Sequence, residues 1–254
     1  MRYIFSVVLI ASVLLYSCGK KEEKVEHPIT FVIKTFKLTS EGGCASDSVP
    51  CASFTVNYPE FTGLDTAVAN RIAHRLDSLI TEGYTEGGAQ TIQQTASEFI
   101  RQHADFVETD STTQHWYFSA TAGLNMVSDS LISIVVFRDE YMGGAHPNSR
   151  TDFINVNPAT GKKITLDDVL KEGYRDALNA VGENVFRTVR ELPDTASLQN
   201  NYFEFPNDKF ALNNNYGFTK HGILFFFNSY EVAPYATGPT EVLIPYERIK
   251  DWIK

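Results

Sequence analysis

Two segments roughly ninety residues apart hold the residue types best suited to chemistry. The first reads Tyr141-Met142-Gly143-Gly144-Ala145-His146-Pro147, and the second reads Tyr230-Glu231-Val232-Ala233-Pro234-Tyr235-Ala236-Thr237-Gly238. Each follows an apolar run, and each mixes Tyr, Gly and Pro with one titratable side chain, His146 or Glu231. Strands do not need that mixture, whereas ligand-facing loops often use it. A histidine titrates near neutral pH and both donates and accepts hydrogen bonds, so beside a carboxylate it can act as an acid–base pair. Gly143-Gly144 lets the backbone turn freely and approach a partner closely. Tyr141, Tyr230 and Tyr235 offer flat amphipathic surface of the kind enriched in interfaces. Pro234 and Pro239 stiffen the second segment and lower its ordering cost on binding. If the segments meet in space, they form one Tyr-rich patch with His146 and Glu231 near its middle. The plainer alternative makes Gly-Gly a turn, His146 a cap on neighbouring backbone, and the tyrosines core.

Catalytic signatures are weaker than binding ones. The chain has no nucleophile elbow, no His-Glu-x-x-His and no phosphate loop. Asp139-Glu140 and Asp167-Asp168 are adjacent pairs, and neighbours on a strand point to opposite faces. They read as solvated or capping groups rather than paired carboxylates. A metal site of His146, Asp139 and Glu231 is the weakest reading, and neither a metal nor a cofactor is expected.

The elements that must position these segments follow from periodicity. Ile29 to Leu38 is a strand candidate, and Ser53 to Tyr58 alternates, with Phe54, Val56 and Tyr58 on one face until Pro59 stops it. Leu64, Val68, Ile72, Leu76 and Ile80 mark one face of a helix ending at Gly83, and Thr91 to Glu108 makes a second. His103 lies in the buried stripe of that second helix and reads as a core-edge histidine. His115–Val127 and Leu131–Tyr141 flank a short polar turn as a hairpin, and Arg150 to Asn157 is another strand. Asn157-Pro158-Ala159-Thr160-Gly161-Lys162 is a strong turn signal. Thr165 with Asp168 looks like a capped helix start, and a longer helix from Tyr174 to about Leu192 precedes Pro193. Asn213–Asn215 and Lys220–Gly222 read as turns around a short strand. Ile223–Asn228 and Glu241–Ile244 are strands, and a short helix runs to Trp252. The class is α+β: antiparallel sheets with packed helices, in two closely associated strand-and-helix halves meeting near residues 110–135.

The N-terminus carries an address. Arg2 precedes an almost wholly apolar stretch from Tyr3 to Tyr16, too short for a bilayer span but suited to a signal peptide. Leu15-Tyr16-Ser17-Cys18 resembles the bacterial lipoprotein cleavage box, with Tyr16 as its departure; an uncleaved anchor helix is the alternative. On the lipoprotein reading residues 1–17 are removed, Cys18 carries the acyl chains, and residues 18–28 form a polar tether. Lys21-Glu22-Glu23 also resembles a surface-export signal, though a plain hydrophilic tether fits equally. The expected place is an exported lipoprotein of the outer membrane, on its periplasmic or surface face. Lys and Arg number 22 against 31 Asp and Glu, a net charge of -9. An acidic chain without a basic cluster argues against nucleic acid, and leaves the lipid anchor as the only hold on the membrane. Cys44 and Cys51 are most simply a disulfide outside the cytoplasm, with two free thiols as the alternative.

Tyr141–Pro147, Asn157–Lys162, Thr219–Phe227, Tyr230–Gly238 and Val242-Leu243-Ile244-Pro245-Tyr246 occur in that order. Residues 113–254 thereby resemble the domain of unknown function forming the C-terminal ectodomain of RsiV-type anti-sigma factors. Residues 29–112 resemble its usual companion, also found beside the deacetylase domain of PdaC-type proteins. The resemblance implies helices packed on antiparallel sheet and, from RsiV, an extracellular region that binds lysozyme. It implies a non-catalytic binding lipoprotein whose partner is a lysozyme-like protein or a peptidoglycan-type glycan. The ligand residues on this reading are Tyr141, Gly143, Gly144, His146, Tyr230, Glu231, Pro234 and Tyr235. No sigma-binding segment and no polysaccharide-deacetylase domain are recognised, so neither role is expected to carry over. The alternative is an envelope glycan hydrolase or deacetylase using His146 and Glu231.

Overall fold

The computed structural model describes residues 28–44, 49–84, 91–110 and 114–254. The expected signal peptide, Cys18 and nearly all of the tether lie outside the described residues. Among the described residues no helix is long and apolar enough to cross a membrane.

Two sheets carry the fold. The larger has strand order β1-β2-β3-β4-β5, with β1 Thr30–Thr39, β2 Ala52–Thr62, β3 Trp116–Val127, β4 Ile132–Tyr141 and β5 Asn148–Val156. The helices α1 (Thr66–Ile80) and α2 (Ile92–Asp110) cover one of its faces. The helix stripe read from sequence is the one buried: Val68, Ile72, Leu76 and Ile80 of α1, and Ile92, Ala96, Phe99 and His103 of α2. They meet Phe54, Val56 and Phe118, with the Phe54 and Phe118 rings stacked at 4.2 Å. Asp65 caps α1 by accepting from the Ala67 and Val68 amides. His103 sits 3% exposed, bonded through Nε2 to the Gln114 carbonyl at 2.9 Å and packed on Trp116.

The α+β class holds, with one departure from antiparallel sheets. β2 and β3 pair in parallel, from Ala52↔Trp116 to Asn57↔Thr121, because α1 and α2 form the crossover between them. Pro59 does not stop β2, which continues to Thr62 with Pro59 opposite Ile33. The pairing with β3 ends at Asn57, so at Pro59 the strand is an edge, where a missing N–H is tolerated.

The second sheet has order β6-β7-β8: Tyr216–Phe218, Gly222–Phe227 and Thr240–Pro245. Between the sheets in sequence lie the single turn α3 (Leu166–Val169) and the helix α4 (Tyr174–Val189); α5 (Tyr246–Ile249) follows β8. Asp168 caps α3 by accepting from the Thr165 backbone N–H at 2.7 Å and its hydroxyl at 2.8 Å. α4 ends at Val189 rather than near Leu192, since the chain turns through left-handed Glu191 (φ 53°) before Pro193 matters. Phe186 of α4 forms the centre of an aromatic core with Phe203, Phe205, Phe210 and Phe227.

The larger sheet runs on past residue 112 to Val156, and the small sheet docks on it there. β6 presents an unpaired edge, and side chains of the larger sheet satisfy it. The Phe218 N–H donates to Ser133 Oγ at 3.0 Å, and Asn155 Nδ2 donates to the Tyr216 carbonyl at 2.8 Å. Gly217 makes this approach possible, because a Cβ there would lie 2.4 Å from the Phe153 ring.

Candidate functional site

The first chemistry-bearing segment is the β4–β5 connection. It turns through Gly143 (φ 90°) and Gly144 (φ 105°), conformations that favour glycine. The Tyr141 hydroxyl donates to the Gly144 carbonyl at 3.0 Å and accepts from Gln114 Nε2 at 3.3 Å, so it closes the turn. A Cβ on Gly143 would lie 2.7 Å from Gln114 Oε1.

The second segment joins β7 to β8. Asn228 anchors its start to β5: Oδ1 accepts the Thr151 N–H at 2.7 Å, and Nδ2 donates to the Thr151 carbonyl at 3.0 Å. Tyr230 then takes a left-handed backbone (φ 67°), which is strained for a bulky residue. Arg190 holds the far end, donating to the Thr237, Gly238 and Pro239 carbonyls and to Thr240 Oγ1. Burial lowers its pKa from the ordinary value.

These anchors bring the two segments together. The His146 ring stacks on Tyr235 with centroids 3.8 Å apart and planes 13° apart. Tyr230 lies 5.5 Å from Tyr235 and 6.3 Å from His146. The Pro147 carbonyl is 2.7 Å from His146 Nδ1 and can only accept, so Nδ1 bears a proton. In the neutral ring Nε2 then accepts the Tyr230 hydroxyl proton across 3.1 Å. The Tyr235 hydroxyl also donates to the Pro147 carbonyl, at 3.4 Å.

Tyr141 reaches this group through Tyr117, a residue the sequence reading did not single out. Tyr117 lies opposite Tyr141 in the β3–β4 register and stacks on it at 6.3 Å. Burial raises the pKa of Tyr117, as do its bond to Asp139 (2.9 Å) and the nearby Tyr235 phenol. The row is therefore Tyr141, Tyr117, Tyr235, His146, Tyr230. Its only sequence signal was strand alternation in β3, which placed Tyr117 on the face without helices.

Glu231 does not join the row. One carboxylate oxygen accepts from Asn213 Nδ2 at 2.7 Å and the other from the Asn228 N–H at 2.9 Å. It ties its own loop to the turn before β6, and both His146 nitrogens are engaged elsewhere. The acid–base pair of His146 with Glu231 is not formed. Pro234 is exposed and lines a different hollow from the row. Asp139 accepts from Tyr117 and from Ser149 Oγ (2.6 Å), Glu140 from Tyr84 and Asn148, and Asp167 pairs with Arg175. Among the described residues no three or more His, Cys, Asp or Glu side chains stand where they could hold a metal ion. Cys44 and Cys51 form a disulfide, with Cα atoms 5.4 Å apart.

Residues 46–149 match the family model described as deacetylase PdaC, and residues 167–247 match that described as a protein of unknown function, DUF3298. A crystal structure of a DUF3298-family member from Bacteroides fragilis is similar with a TM-score of 0.70 at 20% identity, covering 90% of this chain and 95% of that one. One from Pseudomonas aeruginosa PAO1 gives 0.65 at 21%, covering 90% and 96%. No curated protein matches the chain. The two matches fall in chain order as the motifs implied, a PdaC-type segment followed by a DUF3298-type segment of unknown function, and the resemblance read from the motifs is borne out.

Proposed function

We propose that this chain is a non-catalytic binding module of the cell envelope, recognising a lysozyme-like protein or a peptidoglycan-type glycan. The observation that carries the reading is the His146–Tyr235 stack at 3.8 Å, assembled from two connections and bordered by left-handed Tyr230. Tyr230 is 62% exposed, so its strained conformation is not explained by core packing. Aromatic faces fixed before binding give contact area at low ordering cost. A lipid chain on Cys18 would hold the module at the membrane of an exported protein, and the acidic charge disfavours nucleic acid as partner.

Pull-down and calorimetry of the full chain with lysozyme and with muropeptides test the reading. Tyr235→Ala is expected to weaken binding about tenfold or more, as loss of an aromatic anchor does. Absence of binding to both partners at high micromolar protein would sink it.

A second reading has one observation in favour: the segment matched by the deacetylase PdaC model includes His146. It makes the chain a glycan hydrolase or deacetylase. It predicts turnover of labelled peptidoglycan that His146→Ala abolishes. The engagement of Glu231 with Asn213 and Asn228 favours the binding reading instead.

A further inference from the structure

Five non-glycine residues have left-handed φ values among the described residues: Glu191, Tyr202, Asn207, Asp208 and Tyr230. Three of them fall within Tyr202–Asp208, and the Glu204 N–H donates to the Val232 carbonyl at 2.7 Å, joining that segment to the loop of Tyr230. Asn and Asp tolerate this conformation, but a tyrosine does so at a cost. Tyr202 nevertheless holds φ 65° while its side chain is 78% exposed. Its backbone closes the single turn Gln199–Asn201, with the Tyr202 N–H donating to the Gln199 carbonyl at 3.1 Å, while the ring stands clear of the core.

Beside it lies a cavity of about 580 Å³, walled by Tyr202, Gln199, Glu204 and Asn207, with Phe205 and Pro234 as apolar surface. That volume is in the range of small-ligand sites. Asp208, also in the wall, is committed, since it accepts the Gln199 N–H at 2.7 Å. The side chains of Gln199, Tyr202, Glu204 and Asn207 make no hydrogen bond within the described residues. The wall therefore offers two planar carboxamides, one planar carboxylate and a phenol, all with free hydrogen-bonding capacity.

We infer that this cavity is a subsite for one neutral sugar ring of a glycan, with Tyr202 as the platform for its C–H face. A pyranose presents an apolar face and a rim of hydroxyls that donate and accept in pairs. Carboxamides and a carboxylate answer both halves of each pair, and Tyr202 with Pro234 answers the apolar face. A cationic partner group fits less well, because Glu204 is the one carboxylate left uncommitted. The inference rests on the glycan arm of the proposed function and gives it a second contact area, separate from the Tyr235 row but walled by Pro234, the residue that precedes Tyr235 in the chain.

The test is calorimetry of the full chain with an N-acetylglucosamine tetramer and with a disaccharide-peptide muropeptide, using Tyr202→Gly and Tyr235→Ala in parallel. Tyr202→Gly removes the platform and relieves the left-handed strain together. It is expected to weaken sugar binding about tenfold or more while raising Tm by about 2–4 °C. A purely structural tyrosine would change stability without changing affinity. No binding of either sugar by the wild-type chain overturns the subsite. Unchanged affinity in Tyr202→Gly overturns it as well, and a loss confined to Tyr235→Ala moves the sugar to the ring row while leaving the binding function standing. Lysozyme binding without sugar binding likewise refutes the subsite alone.

Discussion

Arg190 is expected to be the residue on which the second loop most depends. Replacing it by Ala removes its bonds to the Thr237, Gly238 and Pro239 carbonyls, at 3.1, 3.1 and 2.7 Å, and to Thr240 Oγ1 at 2.9 Å. Thr240 is buried, so its hydroxyl loses a partner where water does not replace it, at about 1–3 kcal/mol. The three carbonyls lie on half-exposed or exposed chain, so water recovers most of their bonding and each adds only about 0.3–0.5 kcal/mol. The guanidinium also lies 5.5 Å over the Phe203 ring, worth about 0.5–1 kcal/mol. Together these give about 2.5–5.5 kcal/mol, or a fall in Tm of at least about 5 °C for a chain of this size. Arg190→Lys is expected to recover less than half, because a single ammonium cannot reach acceptors spread over four residues. Urea and thermal unfolding measure the loss, and amide exchange at Gly238 and Thr240 localises it. A loss under about 1 kcal/mol, or full rescue by Lys, would refute the clamp.

Two further outcomes follow from covalent and electrostatic features. Cys44→Ser, or reduction, opens a loop of about eight residues and is expected to cost about 2.5 kcal/mol, less any strain. Equal denaturation midpoints with and without reductant would refute that contribution. Glu98 is held down to a pKa of about 2 by its bonds to Arg101 and Gln102, from an ordinary value of 4.5. A depressed carboxyl stabilises the fold above its unfolded pKa, so this contribution is complete above about pH 4.5 and is lost as pH falls towards 2. Arg101 is exposed and solvent screens the pair, so its contribution to stability is small. A Glu98 carboxyl titrating near 4.5 by NMR contradicts the pairing.

Local order was legible because the chain advertises it locally. The four-residue spacing of Val68, Ile72, Leu76 and Ile80 is the buried stripe of α1, and the alternation of Phe54 and Val56 is the core face of β2. Thr165 and Asp168 announced their cap three residues apart. Pairing was less legible. Nothing in β2 or β3 alone says that they run parallel, and Pro59 looked like a terminus because its strand neighbours were unknown. Tyr117 went unnoticed because its partner Tyr141 lies across a strand register, and Tyr235 reaches it from more than a hundred residues away. Asn213 and Asn215 read as turn residues and Asn228 as the end of a strand. They also bond main-chain groups of Thr151 and Phe226, which spacing cannot reveal.

The sequence by itself determined the α+β class, the order of the elements and the two segments that meet at His146 and Tyr235, since periodicity, caps and turn chemistry act over a few residues. Only the tertiary structure decided what those segments are. It stacked His146 on Tyr235 and drew in Tyr117. It turned Glu231 away to bond Asn213 and the Asn228 backbone, and set Tyr202 over a hollow beside Pro234. The physical reason is that a carboxylate's role depends on which donors surround it, and a ring's role on which faces remain open. Both are settled by contacts between residues far apart in the chain.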